Sequence, residues 1–311
     1  MSPISFSKAL VGYELYTRAK QLSPNTIADY KNTFRKFTAY LGSDLDVTAI
    51  DHNHIIGFLG SLPETLSPKT ARNYHTGLSS LWTWMKSEQI VPVQILIQVP
   101  RPKPTQTDII PFSEANIRAL LRSTSRSKTY SRLGKQPCSN ALDPQTAQRN
   151  RLIILVLLDT GLRASELCNI KLHNIEMERS LIKTLGKGDK ERHIPFSDNT
   201  AQALWRYITF RDKVNVGTHL FVTDEDRPFT RDRLKNLLNA LGDRANVPNC
   251  HAHRFRHTFA IQFLRNGGDV FTLKELLGHS SLDMVKRYLA IAQVDVEAAH
   301  KKASPVSNWH L

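Results

Sequence analysis

Histidines, arginines and a phenol crowd the last quarter of the chain: His253-Arg254-Phe255-Arg256-His257, then Leu277-Gly278-His279-Ser280, then Tyr288. A further arginine, Arg163, lies upstream in Thr160-Gly161-Leu162-Arg163-Ala164-Ser165-Glu166-Leu167. These residue types suit attack on a phosphodiester. Such an ester resists cleavage because its oxygens are negative and its alkoxide leaves poorly, so a catalyst must supply charge stabilisation, a nucleophile and a proton donor. Arginine is permanently charged and planar and bonds phosphate in two places, which makes Arg163 and Arg256 the candidates for the first task. Tyr288 is the candidate nucleophile. Its ordinary pKa of roughly 10 leaves only about 0.1% phenolate at neutral pH, and a nearby arginine pair is expected to lower that value. His253 and His279 can donate to phosphate oxygens or move protons near neutrality. Lys187, in Gly186-Lys187-Gly188-Asp189-Lys190, is a candidate proton donor, with Lys190 its competitor in the same turn. Taken singly, each has an ordinary structural alternative: a surface salt bridge, a half-buried ring, a capping imidazole, a solvated turn lysine. The case rests on the set.

These residues need elements to position them. In the N-terminal part, Leu22-Ser23-Pro24-Asn25-Thr26 is echoed by Leu66-Ser67-Pro68-Lys69-Thr70. In each, Ser is a good N-cap and Pro fits the first helical turn, where its missing N–H is not needed. Behind the first start Ile27, Tyr30, Phe34, Phe37 and Leu41 recur at helical spacing, and behind the second Tyr74, Leu78, Leu81, Trp82 and Met85 do the same. With helices at 52–60 and near the N-terminus, residues 1–99 read as a small helical bundle. Residues 100–111, with Pro100, Pro102, Pro104 and Pro111, read as an extended basic linker. Residues 112–311 read as a second domain with a C-terminal tail. In it, helices are expected over 113–122, 151–158, 197–213, 230–245, 254–266 and 270–278, and a long polar loop over 123–148. Leu181–Leu185 and Glu191–Pro195, flanking the glycine-containing turn, read as a hairpin. Tyr288 falls at the end of a further helix. The fold class is therefore mainly α with a small antiparallel sheet.

Composition narrows the partner. Lys plus Arg is 42 and Asp plus Glu is 28, a formal net charge of +14. An excess that large seeks a polyanion: nucleic acid first, an anionic membrane surface second. No apolar run approaches the roughly 20 residues of a spanning helix, and no signal segment follows Met1. Cys138, Cys168 and Cys250 are scattered, which fits reduced thiols in a cytosol. Cys250, His251, His253 and His257 lie close together, but no Glu stands beside His253 and no distant partner pair completes a zinc finger, so neither a metal nor a cofactor is expected.

The ordered set Thr-Gly-Leu-Arg-Ala-Ser-Glu-Leu, Gly-Lys-Gly-Asp-Lys-Glu-Arg, His-x-x-Arg-His, Leu-Gly-His-Ser and Tyr resembles the tyrosine recombinase family, which includes Xer-type recombinases and phage integrases. The resemblance covers residues 110–300 by motif and implies a mixed α/β catalytic domain preceded by a helical, SAM-like core-binding domain. By position it implies that Arg163 and Arg256 hold a scissile phosphate of DNA, that His253 and His279 donate to it and assist proton transfer, and that Lys187 protonates the leaving 5′ oxygen. Tyr288 would attack to give a 3′-phosphotyrosyl link. Glu166 reads as a supporting residue on the same helix face as Arg163.

The family further implies double-stranded DNA with specific core sites as partner, a homotetramer on two sites, and work on a mobile element or replicon in the cytoplasm, at the nucleoid. Since the core-binding helices are expected almost at once, an extra arm-binding domain is not expected. Two other outcomes use related parts: a type IB topoisomerase-like relaxing enzyme, and a catalytically silent DNA-binding regulator. The segment 123–148 exceeds a minimal Xer-type enzyme. For the tail from Val294 to Leu311, with Trp309, the resemblance implies docking on a neighbouring subunit, with packing in cis as the alternative.

Overall fold

The computed structural model describes residues 3–103, 108–127, 140–185, 191–211, 218–278, 282–292, 300 and 304–308. The chain divides into two compact units, residues 1–107 and 108–311.

The first unit is a helical bundle: α1 (Phe6–Ala19), α2 (Pro24–Leu41), α3 (His52–Gly60) and α4 (Pro68–Ser87). The two Ser-Pro starts work as their chemistry requires. Ser23 Oγ accepts from the Thr26 N–H and Ser67 Oγ from the Thr70 N–H, each at 3.2 Å. The apolar stripes of α2 and α4 meet in a core built on Phe6, Tyr13, Phe37, Leu78 and Trp82. Gly77 lets the two helices close up, because a Cβ there would lie 3.2 Å from the Thr33 side chain.

The second unit holds α5 (Glu114–Ser123), α6 (Pro144–Thr160), α7 (Ala164–Cys168), β1 (Ile175–Glu176), β2 (Leu181–Leu185), β3 (Glu191–Pro195), α8 (Asp198–Thr209), α9 (Arg231–Ala245), α10 (Ala252–Arg265), α11 (Val270–Leu277) and α12 (Asp283–Ala292), with a last short helix at Pro305–Asn308. Helix α6 is the axis of the core. Leu152, Ile153, Ile154, Val156 and Leu157 are all buried, and α8 and α10 pack against it. Its β-branched residues lower helix propensity only slightly, and burial outweighs that cost. A second, smaller core joins α10, α11 and α12 through Ile261, Leu264, Leu273, Leu277, Val285 and Tyr288.

Two expectations need correction, and the hairpin, which forms with the expected bounds, gains a strand. The expected loop over 123–148 ends early, because α6 starts at Pro144: Asp143 caps it by accepting from the Thr146 N–H at 3.1 Å. This is the same cap-then-proline signal as at Ser23 and Ser67. The hairpin is part of a three-stranded antiparallel sheet in the order β1-β2-β3, with Ile182 paired to Ile194 and to Ile175. The added strand β1 is 2 residues long, too short to show alternation. Finally, Tyr288 sits within α12, not at its end. Among the described residues, no helix is long and apolar enough to cross a membrane.

Two expected outcomes follow. Gly161 ends α6 at φ +61°, and a Cβ there would fall 2.5 Å from the Phe259 ring and 3.0 Å from Leu277. Gly161→Ala thus combines left-handed strain of roughly 1–2 kcal/mol with overpacking of about 1–3 kcal/mol, and calorimetry of the full chain should find a melting temperature lower by at least about 5 °C. An unchanged transition would contradict the packing around this turn. Alkaline titration gives the second. Burial pushes the Cys168 thiol up to about 11, the Cys250 thiol up to about 12 and the Tyr13 phenol up to about 12. A raised folded-state pKa stabilises below the unfolded value and is lost as pH climbs through the folded one. The melting temperature in reducing buffer should therefore decline steadily from about pH 9 upward; a flat profile to pH 11 would show that these groups are not held neutral.

Candidate active site

Arg163 is placed by the turn that ends α6. Gly161 reverses the chain, Leu162 is buried, and Arg163 becomes the N-cap of α7. Glu166, three residues on, faces it twice. Its Oε2 accepts from the Arg163 backbone N–H at 2.7 Å, and its Oε1 accepts from the Arg163 guanidinium at 2.8 Å. The Arg-x-x-Glu spacing thus satisfies an orphan donor of a helix start and fixes the arginine side chain at the same time.

Arg256 arrives from α10. The two arginines around Phe255 have different fates. Arg254 donates to the carbonyls of Ile110 (3.0 Å) and Pro248 (2.6 Å) and covers the Phe112 ring, which makes it structural. Arg256 is buried, and its guanidinium donates to Gly161 O at 2.8 Å and Leu277 O at 2.6 Å. Arg163 donates to the very next carbonyl, Gly278 O, at 3.1 Å. Two guanidinium groups from distant parts of the sequence therefore meet at consecutive carbonyls where α11 ends. Burial, and then the neighbouring Arg163, push Arg256 down to about 10, so it still carries its charge at neutral pH.

Tyr288 lies beside them, with its ring 1% exposed. Its Oη is 2.8 Å from His257 Nδ1, sharing a hydrogen bond. Arg256 and Arg163 do pull the phenol pKa down, as expected, but the net shift is upward. Burial raises it and outweighs the opposing pull of Arg256, Arg287 and Arg163. His257 is pushed down to about 4, by burial and then by His253, so it is neutral at pH 7. His253 stands exposed on the first turn of α10, its ring 4.2 Å edge-on from that of His257. The imidazole of His253 thus reaches the phenol by way of His257.

Of the residues singled out from sequence, Arg163, Arg256, His253 and Tyr288 come together here. Lys187, its competitor Lys190, and His279 lie outside the described residues. Two further residues join the group. His257 touches the phenol directly; its signal in the sequence was its place next to Arg256, one helical turn after His253. Arg192 bonds Glu166 Oε2 at 2.7 Å. Its signal was strand alternation: on β3 it shares a face with buried Ile194, and an inward-facing arginine demands a buried acid.

Residues 98–294 match the model of the phage integrase family. Tyrosine recombinase XerC of Staphylococcus saprophyticus is 31% identical over 294 residues, spanning 92% of this chain and 93% of that protein. Tyrosine recombinase XerD of Listeria innocua is 26% identical over 296 residues, spanning 92% and 94%. Among solved structures, the Tn1549 transposon integrase in complex with transposon right end DNA superposes with a TM-score of 0.74 at 19% identity, over 94% of this chain and 98% of that one. A lambda integrase dimer bound to a COC' core site gives 0.71 at 13% identity, over 90% and 97%. The fold, the ordered motifs and a relative matched over nearly its whole length lead to one assignment: the chain belongs to the phage integrase family of site-specific tyrosine recombinases.

Proposed function

We propose that the chain cuts and rejoins duplex DNA at specific core sites, with Tyr288 as nucleophile and Arg163 and Arg256 as the phosphate clamp. What carries this reading is the meeting of the two guanidinium groups at Leu277 and Gly278, with the Tyr288 phenol within electrostatic reach of both. The phenolic oxygen bonds phosphorus and the bond to the 5′ oxygen breaks. The phenol loses its proton by way of His257 and His253. The 5′ oxygen gains one, for which Lys187 is the donor and His279 the assisting residue at the phosphate. The 3′-phosphotyrosyl link keeps the energy of the ester, so a second strand's 5′ hydroxyl reverses the step without ATP. The arginines supply charge stabilisation to the nonbridging oxygens as charge develops there.

In the same reading residues 1–99 grasp core-site DNA, 100–111 tether the halves, and 112–311 carry the chemistry. The formal charge of +14 supports a polyanionic partner and residence at the nucleoid. Four copies on two sites, exchanging C-terminal tails, recombine a mobile element or replicon; this assembly rests on the family resemblance.

Three outcomes test it. On a nicked suicide substrate, Tyr288→Phe should bind normally and leave no protease-sensitive protein–DNA adduct; an adduct from the Phe variant would put the nucleophile elsewhere. Arg163→Ala and Arg256→Ala should each slow adduct formation by about 10²–10³-fold, the scale of losing one donor to a developing oxyanion. Affinity for site DNA should drop steeply with salt, by about 0.9 in the log–log slope for each phosphate neutralised, and a flat response would argue against a basic DNA-binding surface.

A further inference from the structure

The buried carboxylate of Glu166 stands among three guanidinium groups. One oxygen accepts from the Arg163 side chain at 2.8 Å; the other accepts from the Arg163 backbone N–H and from Arg192, both at 2.7 Å. The Glu166 side chain is 6% exposed, Arg192 13% and Arg163 36%. Arg256 completes the group, its guanidinium donating to the carbonyls of Gly161 and Leu277. A carboxylate this dry would draw on the charge of Arg163 if Arg163 were its sole counter-ion, and would leave that arginine half-neutralised before any phosphate arrived.

Arg192 prevents this. It is tethered on both sides: its Nε donates to Thr184 Oγ1 at 3.3 Å across the β2–β3 pair, and its Nη1 is pressed against Gly278, where a Cβ would lie 2.1 Å away. That Nη1 is buried and has no hydrogen-bond partner among the described residues. Gly278 is also the residue whose carbonyl receives Arg163. Arg163 and Arg192 are therefore gripped by the same two neighbours, Glu166 and Gly278, and only Arg163 keeps substantial exposure.

We propose that Arg192 is a positioning residue of the recombination reaction: it offsets the charge of Glu166, so that Glu166 can orient Arg163 while the charge of Arg163 remains available to the scissile phosphate. The inference rests on the reading of Arg163 as a phosphate-binding residue. A purely structural Arg192 would contribute packing and stability but would leave the response to phosphate charge unchanged.

The test is single-turnover cleavage by the full chain on nicked site DNA, with DNA affinity and thermal melting measured alongside. Arg192→Met should bind DNA almost normally and cleave about 10²-fold more slowly, the scale of a weakened oxyanion donor. Adding Glu166→Gln should restore at least about tenfold of that loss, since a neutral side chain no longer draws on Arg163. Arg192→Lys should stay within about tenfold of the parent, because it keeps the charge and loses the planar fork. Methylphosphonate DNA, in which a methyl group replaces one nonbridging oxygen of the scissile phosphate, removes the charge to be stabilised. On it the defects of Arg163→Ala and Arg192→Met should both shrink. If Arg163→Ala is not relieved, the phosphate-clamp reading fails; if Arg163→Ala is relieved and Arg192→Met is not, the present inference fails. Should Arg192→Met melt below the assay temperature, Glu166→Gln is compared with Glu166→Gln/Arg192→Met. The two should cleave within about threefold of each other, because distinct rates at sites sharing one charge balance measure their coupling; a gap above tenfold overturns the proposal.

Discussion

Like charges repel, and this site holds guanidinium groups side by side. What makes that arrangement stable is a supply of anchors: the Glu166 carboxylate and the carbonyls of Gly161, Leu277 and Gly278. Those carbonyls are not arbitrary. They belong to the C-terminal ends of α6 and α11, where helical carbonyls lack intrahelical partners and the helix dipole is negative. Two helix ends thus provide acceptors that the helices themselves cannot satisfy, and the buried Arg256 and the half-buried Arg163 provide donors that need them. Each problem solves the other.

The glycines at these ends follow from the same constraint. Gly161 and Gly278 both take left-handed backbone conformations, with φ of +61° and +62°. At Gly161 the neighbours are aromatic and aliphatic side chains, and at Gly278 the neighbour is the Arg192 guanidinium. A side chain at either would push the helix end away from the arginine it feeds. The site therefore depends on backbone geometry as much as on charged side chains.

The candidate nucleophile is held by different means. Tyr288 belongs to the small core of α10, α11 and α12, and its oxygen is engaged by a neutral imidazole. Burial keeps the phenol protonated, while three nearby arginines pull in the opposite direction. The ring thus lies beside charges that favour its anion. Desolvation sets its state, and any change that exposes the oxygen to a phosphate also relieves the desolvation.

By itself the sequence determined the identity of Arg163, Arg256, His253 and Tyr288 as a set, the helical start signals at Ser23 and Ser67, and the hairpin between Leu181 and Pro195, because each is a local pattern of spacing and turn chemistry. It also contained the Asp143-Pro144 helix start and the inward-facing alternation of Arg192. Only the tertiary structure decided that Glu166 bridges two arginines, that Arg254 is structural while Arg256 faces the site, and that His257 meets the phenol. It alone decided the sign of the Tyr288 shift. The physical reason is the same in each case: spacing along a chain fixes which groups share an element, but burial and the competition among several charges are set by what packs against them from elsewhere.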